Sequence, residues 1–401
     1  MAGYRAASGD RGRRVSYAPS LAVLLVVVAL LLPACGGFLE DALDLAVEKP
    51  TLDDTLTDPV AYVEALESAA VGGEDKVTLN IIASEDDLKN LANDVDPFWG
   101  APVSYLVNKE WNGINLTETG PAIDVKTVEF TIRQSVSYYA YNEYTSGGAA
   151  EPPSDIAGNV AAVSKALPAI VADIERSLDG TDGSDYDKAL AVHDWLVENI
   201  EYDARMYEGS DDNSVTGALV GRSTMCQGYA EAFELLMRCV SDADVRIEVG
   251  AGKSSDNTEW ADHAWNLVNL DGEWYQVDAT FDDPVNSDRE TPSHIYFGRS
   301  DAGMTPDHRW SAEYWPAAEG KDFLYYRTEG LYANSKKKFR SVVKKLLKKG
   351  RPEEMELAVN GVELSEGDLQ FIYDSKDEVS NIMYSYTDSG DVTIVSLKLE
   401  Y

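Results

Sequence analysis

The chain has 401 residues, 44% of them hydrophobic, enough for two or three domains with cores of their own. Its 70 acidic and 34 basic residues give a formal net charge of −36. So acidic a surface repels a polyanion, which excludes nucleic acid as an expected partner.

At the N-terminus, Arg5, Arg11, Arg13 and Arg14 form a positive region, and Leu21 to Leu32 is an unbroken apolar run. Leu32-Pro33-Ala34-Cys35 then sets a small residue directly before a cysteine. The segment resembles a bacterial lipoprotein signal over 1–35, with Cys35 as the acylated residue. That resemblance implies export and a lipid-anchored place at the bacterial cell surface. A plain transmembrane anchor is the competing reading, and the apolar run is short for it.

Residues 36–75 read as a tether or first helix, with helical pattern around Pro59 to Leu66. Residues 76–150 read as a small α+β domain. Val77 to Ile82 alternates at strand period, and Val125 to Tyr141 is rich in β-branched and aromatic residues. Ser146 to Pro153 reads as a linker.

Residues 155–320 read as the central domain. Helices are expected over Val160 to Leu178 and Tyr186 to Ile200. Ser184 and Asp187 form a capping-box pattern before the second. A third helix is expected from Cys226, whose stripe of Ala230, Phe233, Met237 and Val240 turns Cys226 inward. Strands follow at Val245 to Ala251, His263 to Leu270 and Glu273 to Ala279.

Residues 321–401 read as a C-terminal α+β module. Ser335 to Arg351 is a basic amphipathic helix, and strands are expected at Leu369 to Asp374, Asn381 to Tyr386 and Val392 to Leu399. The lysine face reads first as solvated, and otherwise as a contact for anionic lipid or wall polymer.

Cys226 and Cys239 lie thirteen residues apart on one helix, hence roughly 20 Å apart. A disulfide needs Cα atoms within about 7 Å, so Cys226 stays a free thiol. Asp271-Gly272 signals a two-residue hairpin. In that register Leu270 faces Glu273 and Trp265 faces Asp278. His263 then lies diagonal to Asp278 on the same face, roughly 7–8 Å away by Cα. One imidazole nitrogen can bond the carboxylate while the other turns to a thiol. A helix N-terminus favours a thiolate at Cys226, and the Cys226 N–H can serve an oxyanion. Cys226, His263 and Asp278 are therefore the candidate catalytic set, with Trp260, Trp265 and Gln227 as candidates for substrate contact.

Three runs carry a wider resemblance. They are Cys226-Gln227-Gly228-Tyr229-Ala230, His263-Ala264-Trp265-Asn266, and Trp274 to Pro284. With the upstream run His193 to Asp203, they resemble the core of bacterial transglutaminase-like proteins over about residues 160–310. The resemblance implies an α+β, papain-like fold, a Cys-bearing helix on an antiparallel sheet, to which the residue patterns add small N-terminal and C-terminal α+β modules. It also implies a Cys226 nucleophile, a His263 base and an orienting Asp278.

The expected function is a surface cysteine acyl-transfer enzyme that hydrolyses an amide through a thioester. The partner is a protein or peptide substrate, cell-wall peptide included. The alternatives are a cross-linking transglutaminase and a non-catalytic binding lipoprotein. His193 reads as a packing or hydrogen-bonding residue. His294 and His308 show no partners in the sequence, with His308-Arg309-Trp310 at the cleft edge. The four histidines show no metal-ligand spacing, so neither metal nor cofactor is expected.

Overall fold

The computed structural model describes residues 49–93, 103–116, 120–147, 150–203, 213–253, 259–283, 293–321, 324–375, 379–388 and 392–401. The expectations for the signal segment and Cys35 lie outside the described residues. Residues 53–401 make one unit; of the preceding unit, residues 49–52 are described and carry neither helix nor strand.

The chain first lays down β1 (Thr55–Leu56), α1 (Pro59–Val71), β2 (Lys76–Ile81), α2 (Glu85–Asn93), β3 (Val103–Ile114), β4 (Ile123–Ile132) and α3 (Val136–Ser146). The strands form a sheet in the order β1-β2-β4-β3. Asp58 caps α1 by accepting from Val60 N at 3.1 Å, and Pro59 takes the first turn, where its missing N–H costs nothing. Tyr62, Val63, Leu66, Ala69 and Ala70 are buried, so residues 59–71 are a core helix rather than a tether. The β-rich run Val125 to Tyr141 divides. Its strand stops at Ile132, Ser135 caps a helix by accepting from Tyr138 N, and Gly147 closes that helix at φ 71. Local capping outweighs the β-propensity of Val136 and the tyrosines.

Next come α4 (Ala157–Ser177), α5 (Asp185–Asn199), β5 (Glu201–Tyr202), β6 (Ser223–Thr224), α6 (Cys226–Val240), β7 (Val245–Gly252), β8 (Ala261–Leu270), β9 (Glu273–Val277), α7 (Ala279–Asp282), β10 (Phe297–Arg299), α8 (Asp301–Met304) and β11 (His308–Trp310). Ser184 and Asp187 form the reciprocal box at the head of α5, each backbone N–H donating to the other's side chain at 3.1 Å. The central sheet is antiparallel in the order β10-β9-β8-β7-β11. Its β8–β9 hairpin pairs Leu270 with Glu273, the expected register. Asp271 and Gly272 sit at φ 55 and 89, the two left-handed positions of a tight hairpin turn.

A single hydrophobic core runs through these elements. Leu66, Phe130, Leu167, Leu196, Phe233 and Leu267 belong to one buried cluster that spans both sheets and the helices between them. Each such side chain contributes about 1.5–3 kcal/mol by leaving water. Among the described residues, α4 is long and apolar enough to cross a membrane. Its Val163, Leu167, Ile170, Val171 and Ile174 are used in this core instead.

The remaining elements are α9 (Leu324–Thr328), β12 (Tyr332–Ala333), α10 (Lys336–Lys349), β13 (Glu354–Val359), α11 (Glu366–Tyr373), β14 (Asn381–Asp388) and β15 (Thr393–Glu400). The sheet order is β12-β13-β15-β14. Phe339, Val342, Val343 and Leu347 of α10 pack on Leu357, Leu369, Ile372 and Leu397 in a core of their own. The expected strand Leu369 to Asp374 is a helix. Ser365 and Asp368 form a capping box ahead of it, and Leu369 and Ile372 fall three apart on its buried face.

Candidate active site

Helix α6 packs on β7 and β8, and Cys226 is its first helical residue. Met225 enters in extended conformation and supplies no side-chain cap. The Cys226 N–H therefore lies where an α-helix has no internal acceptor. The thiol is 8% exposed and meets the His263 imidazole and the Ala264 backbone N–H, both from β8. Burial pushes this thiol up, but hydrogen bonding from His263, its charge and the Ala264 N–H outweigh burial and hold it below the ordinary 9.0.

His263 is 7% exposed and Asp278 1%. His263 Nε2 lies 2.7 Å from Asp278 Oδ2, which leaves Nδ1 as the ring atom for the thiol. Burial pulls the imidazole down; the Asp278 charge and hydrogen bond, with Cys226, overcome this and raise it to about 10. Asp278 is held well below the usual carboxylate range, because His263 and His308 outweigh its burial. Cys226, His263 and Asp278 thus meet in a thiol–imidazole–carboxylate line. Gly252 makes room for it: a Cβ there would stand 2.9 Å from His263 Cγ and Cδ2.

Asp278 does a second task. Strand β9 ends at Val277, short of the expected Ala279, because Asp278 Oδ1 accepts from Thr280 N and Phe281 N and starts α7. One oxygen caps a helix, and the other serves imidazoles. Two are present. His308 Nε2 also reaches Asp278 Oδ2, at 3.0 Å, and its Nδ1 lies 2.7 Å from Asp307 Oδ1. Asp307 Oδ2 in turn accepts from Tyr296 OH at 2.6 Å. The sequence showed no partner for His308; it enters on β11, which pairs with β7 at the sheet edge.

His193 is fully buried, as its place on the apolar face of α5 implies, and it has partners. Its Nε2 lies 3.1 Å from Asp282 Oδ2 and its Nδ1 3.0 Å from Asp194 Oδ1, where His294 Nε2 also arrives at 2.8 Å. Asp282 is the last residue of α7, so this cluster pins the short helix that Asp278 caps. The ligand atoms of His193, Asp194 and His294 lie within 4.8 Å of one another, as do those of His263, Asp278 and His308. Two imidazoles and a carboxylate suit a divalent cation chemically, but here hydrogen bonds already join these atoms. The histidines of each set come from distant segments, so sequence spacing could not reveal either.

The three candidates for substrate contact divide. Trp265 is 1% exposed, stacks 5.7 Å from His263, and gives its Nε1–H to Gln276 Oε1 at 2.7 Å. It supports the imidazole from below and is not open to a substrate. Gln227 turns back along α6 to Glu231 Oε1 at 2.8 Å. Trp260 is half-buried just before β8, with the Arg309 guanidinium 3.8 Å from its ring centroid. A cavity of about 960 Å³ lies elsewhere, between His294 and Tyr325 on one side and Met355, Tyr384 and Lys398 on the other.

Residues 172–279 match the transglutaminase-like superfamily, a span that contains Cys226, His263 and Asp278. The kyphoscoliosis peptidase of Mus musculus is 32% identical over 105 residues, which is 24% of this chain and 16% of that protein. The Homo sapiens kyphoscoliosis peptidase is 30% identical over 105 residues, with the same shares. The chain thus spans a small part of the curated relatives it matches. Among solved structures, a TGase superposes with a TM-score of 0.25 at 15% identity, over 53% of each chain. The periplasmic domain of TgpA from Pseudomonas aeruginosa bound to ethylmercury gives 0.22 at 11% identity, over 51% of this chain and 72% of that one.

Proposed function

The chain carries a transglutaminase-like domain, and from that premise we propose that it is a cysteine acyl-transfer enzyme acting on amide bonds of a protein or peptide. The observation that carries the reading is the line from the Cys226 thiol to the His263 imidazole and from His263 Nε2 to Asp278. Similarity to a peptidase over 105 residues agrees with it.

In the proposed reaction the Cys226 thiolate attacks the carbonyl carbon, forming a C–S bond. The oxyanion takes the Cys226 N–H. His263 passes the Nδ1 proton to the leaving nitrogen, the C–N bond breaks, and a thioester remains. Water then gives a proton to His263 and attacks the thioester, releasing acid and thiolate. Asp278 keeps the proton on Nε2 throughout, so Nδ1 is the atom that exchanges protons with the reactants. Hydrolysis is preferred over cross-linking because water needs no second binding site. Trp260, half-buried beside β8, is the proposed edge of the substrate groove. The signal-like segment through Cys35 supports a lipid-anchored, exported location.

Incubation with a peptide library and with an acylating cysteine probe tests the reading. Wild type should cleave peptides and retain the acyl label; Cys226→Ala should do neither. Labelling that survives Cys226→Ala would end the proposal.

A further inference from the structure

We infer that the exposed basic face of α10 is an electrostatic docking surface for an anionic lipid bilayer. Nine of the chain's 34 basic residues fall within 336–351, a stretch without a single acidic residue. All nine are exposed. The apolar side of the same helix is used up: Phe339, Val342, Val343 and Leu347 are buried in the C-terminal core. The helix therefore cannot turn over and insert, and its cations project from one side.

Lys336 pairs with Asp368 at 2.7 Å. Among the described residues, Lys337, Lys338, Arg340, Lys344, Lys345, Lys348 and Lys349 form no ion pair. In a chain of net charge −36 with so many carboxylates available, that segregation has an electrostatic consequence. Among the described residues the acidic surface is repelled by a negative sheet of charge and this face is attracted, which favours one orientation of the folded unit on such a sheet. A shallow groove of about 590 Å³, lined by Lys336, Lys337, Arg340, Ser341, Lys344 and Asp368, gives phosphate headgroups a place to enter.

A bilayer is the occupant these features favour. Seven of the nine cations are lysines, which act as mobile point charges rather than the planar forks that read one phosphate bidentately. That suits a diffuse array of headgroups. The apolar run ending before Cys35 supplies a second, independent reason to expect a membrane nearby. A lipid at Cys35 and a polybasic face would be two separate attachments to the same bilayer.

The test compares binding of the full chain to phosphatidylcholine vesicles and to vesicles mixing phosphatidylcholine with phosphatidylglycerol. Any contribution of the N-terminal segment is common to both vesicle types, so the ratio of the two affinities isolates charge. Wild type should favour the anionic vesicles, with a preference that collapses as salt rises. Lys344→Gln, Lys345→Gln and Lys348→Gln combined should lower the ratio about a hundredfold, at about fivefold per lysine. The control is Lys76→Gln, Lys89→Gln and Lys165→Gln combined, the same change in net charge at exposed sites elsewhere. It should leave the ratio intact. Equal ratios for wild type and the α10 variant would overturn the inference. So would a control that falls as far, or a wild type that binds soluble heparin but shows no vesicle preference.

Discussion

His308 Nε2 lies 3.0 Å from Asp278 Oδ2, the same oxygen that accepts from His263 Nε2 at 2.7 Å. An ionised carboxylate only accepts, so both ring atoms donate to it. His308 thereby adds a second donor at the oxygen that orients His263. Its replacement should act on catalysis through Asp278 without touching substrate. A hydrogen bond to a charged group is worth about 1.5–3 kcal/mol, so His308→Phe should lower kcat about ten- to a hundredfold with KM unchanged. His308→Gln, which retains an N–H donor, should recover part of the loss.

The thiol and imidazole make a prediction about pH. Below the Cys226 pKa, itself below 9.0, the nucleophile is protonated and activity falls. Above about 10 His263 loses its proton, and with it the acid for the leaving amine. The profile of kcat/KM should be bell-shaped between these limits. Iodoacetamide alkylation isolates the lower limb. In His263→Ala the midpoint for alkylation of Cys226 should shift toward higher pH, because the imidazole's hydrogen bond and charge no longer offset burial and the Ala264 N–H is left to do so. Cys239 does not confuse the measurement, since burial pushes its thiol up to about 12. An unshifted midpoint would separate Cys226 from His263 electrostatically.

Much of this site could be read from the chain, and the reason is local. Asp271-Gly272 fixes a two-residue turn, and a two-residue turn fixes register, so His263 and Asp278 had to share a face. Ser184 with Asp187 marked the head of α5 in the same way. What stayed hidden depended on long-range placement. His308 stands 30 residues beyond Asp278, and only the pairing of β11 with β7 brings it there. Trp265 shares the face of His263 on β8, but nothing in the strand alternation says how deeply that face is covered. The α11 segment carries two opposed signals: Leu369 to Tyr373 is rich in strand formers, and the Ser365–Asp368 box just before it starts a helix, which prevails.

Glu248 predicts a stability effect separate from catalysis. It sits on β7 opposite Trp265 and is fully buried. The Gln276 and Trp265 side chains and the charge of Arg246 favour the carboxylate, but burial outweighs them. Burial, aided by the charge of Asp301, pushes the carboxyl up from 4.5 to about 8. Below 4.5 the group is protonated in both folded and unfolded chains and costs nothing. Between 4.5 and about 8 the unfolded chain releases the proton and the folded one keeps it, so stability falls as pH rises. The loss is on the order of 5 kcal/mol once the folded pKa is passed. Glu248→Gln should flatten that part of the stability curve and unfold at higher temperature than wild type on the alkaline side. Parallel melting curves for the two proteins across this range would count against a buried, proton-holding Glu248.

Gly252 offers a way to move the imidazole without deleting it. An alanine Cβ at this position would meet His263 Cγ and Cδ2 at 2.9 Å and Cβ at 3.1 Å. These are ring and stem atoms held by Asp278 on one side and by Trp265 stacking on the other, so the ring must tilt. The backbone at Gly252 has no left-handed φ, so alanine brings no strain of its own there. Gly252→Ala should therefore lower kcat by about a hundredfold, the usual consequence of misplacing a reacting group by about 1 Å, while the melting temperature changes little. Gly272→Ala is the converse: φ 89 at the hairpin tip strains an alanine, and nothing lies within 4 Å of its Cβ. It should lose stability by about 1 kcal/mol and keep its kcat. If both variants lost stability and neither lost rate, the packing of Gly252 against His263 would have no catalytic meaning.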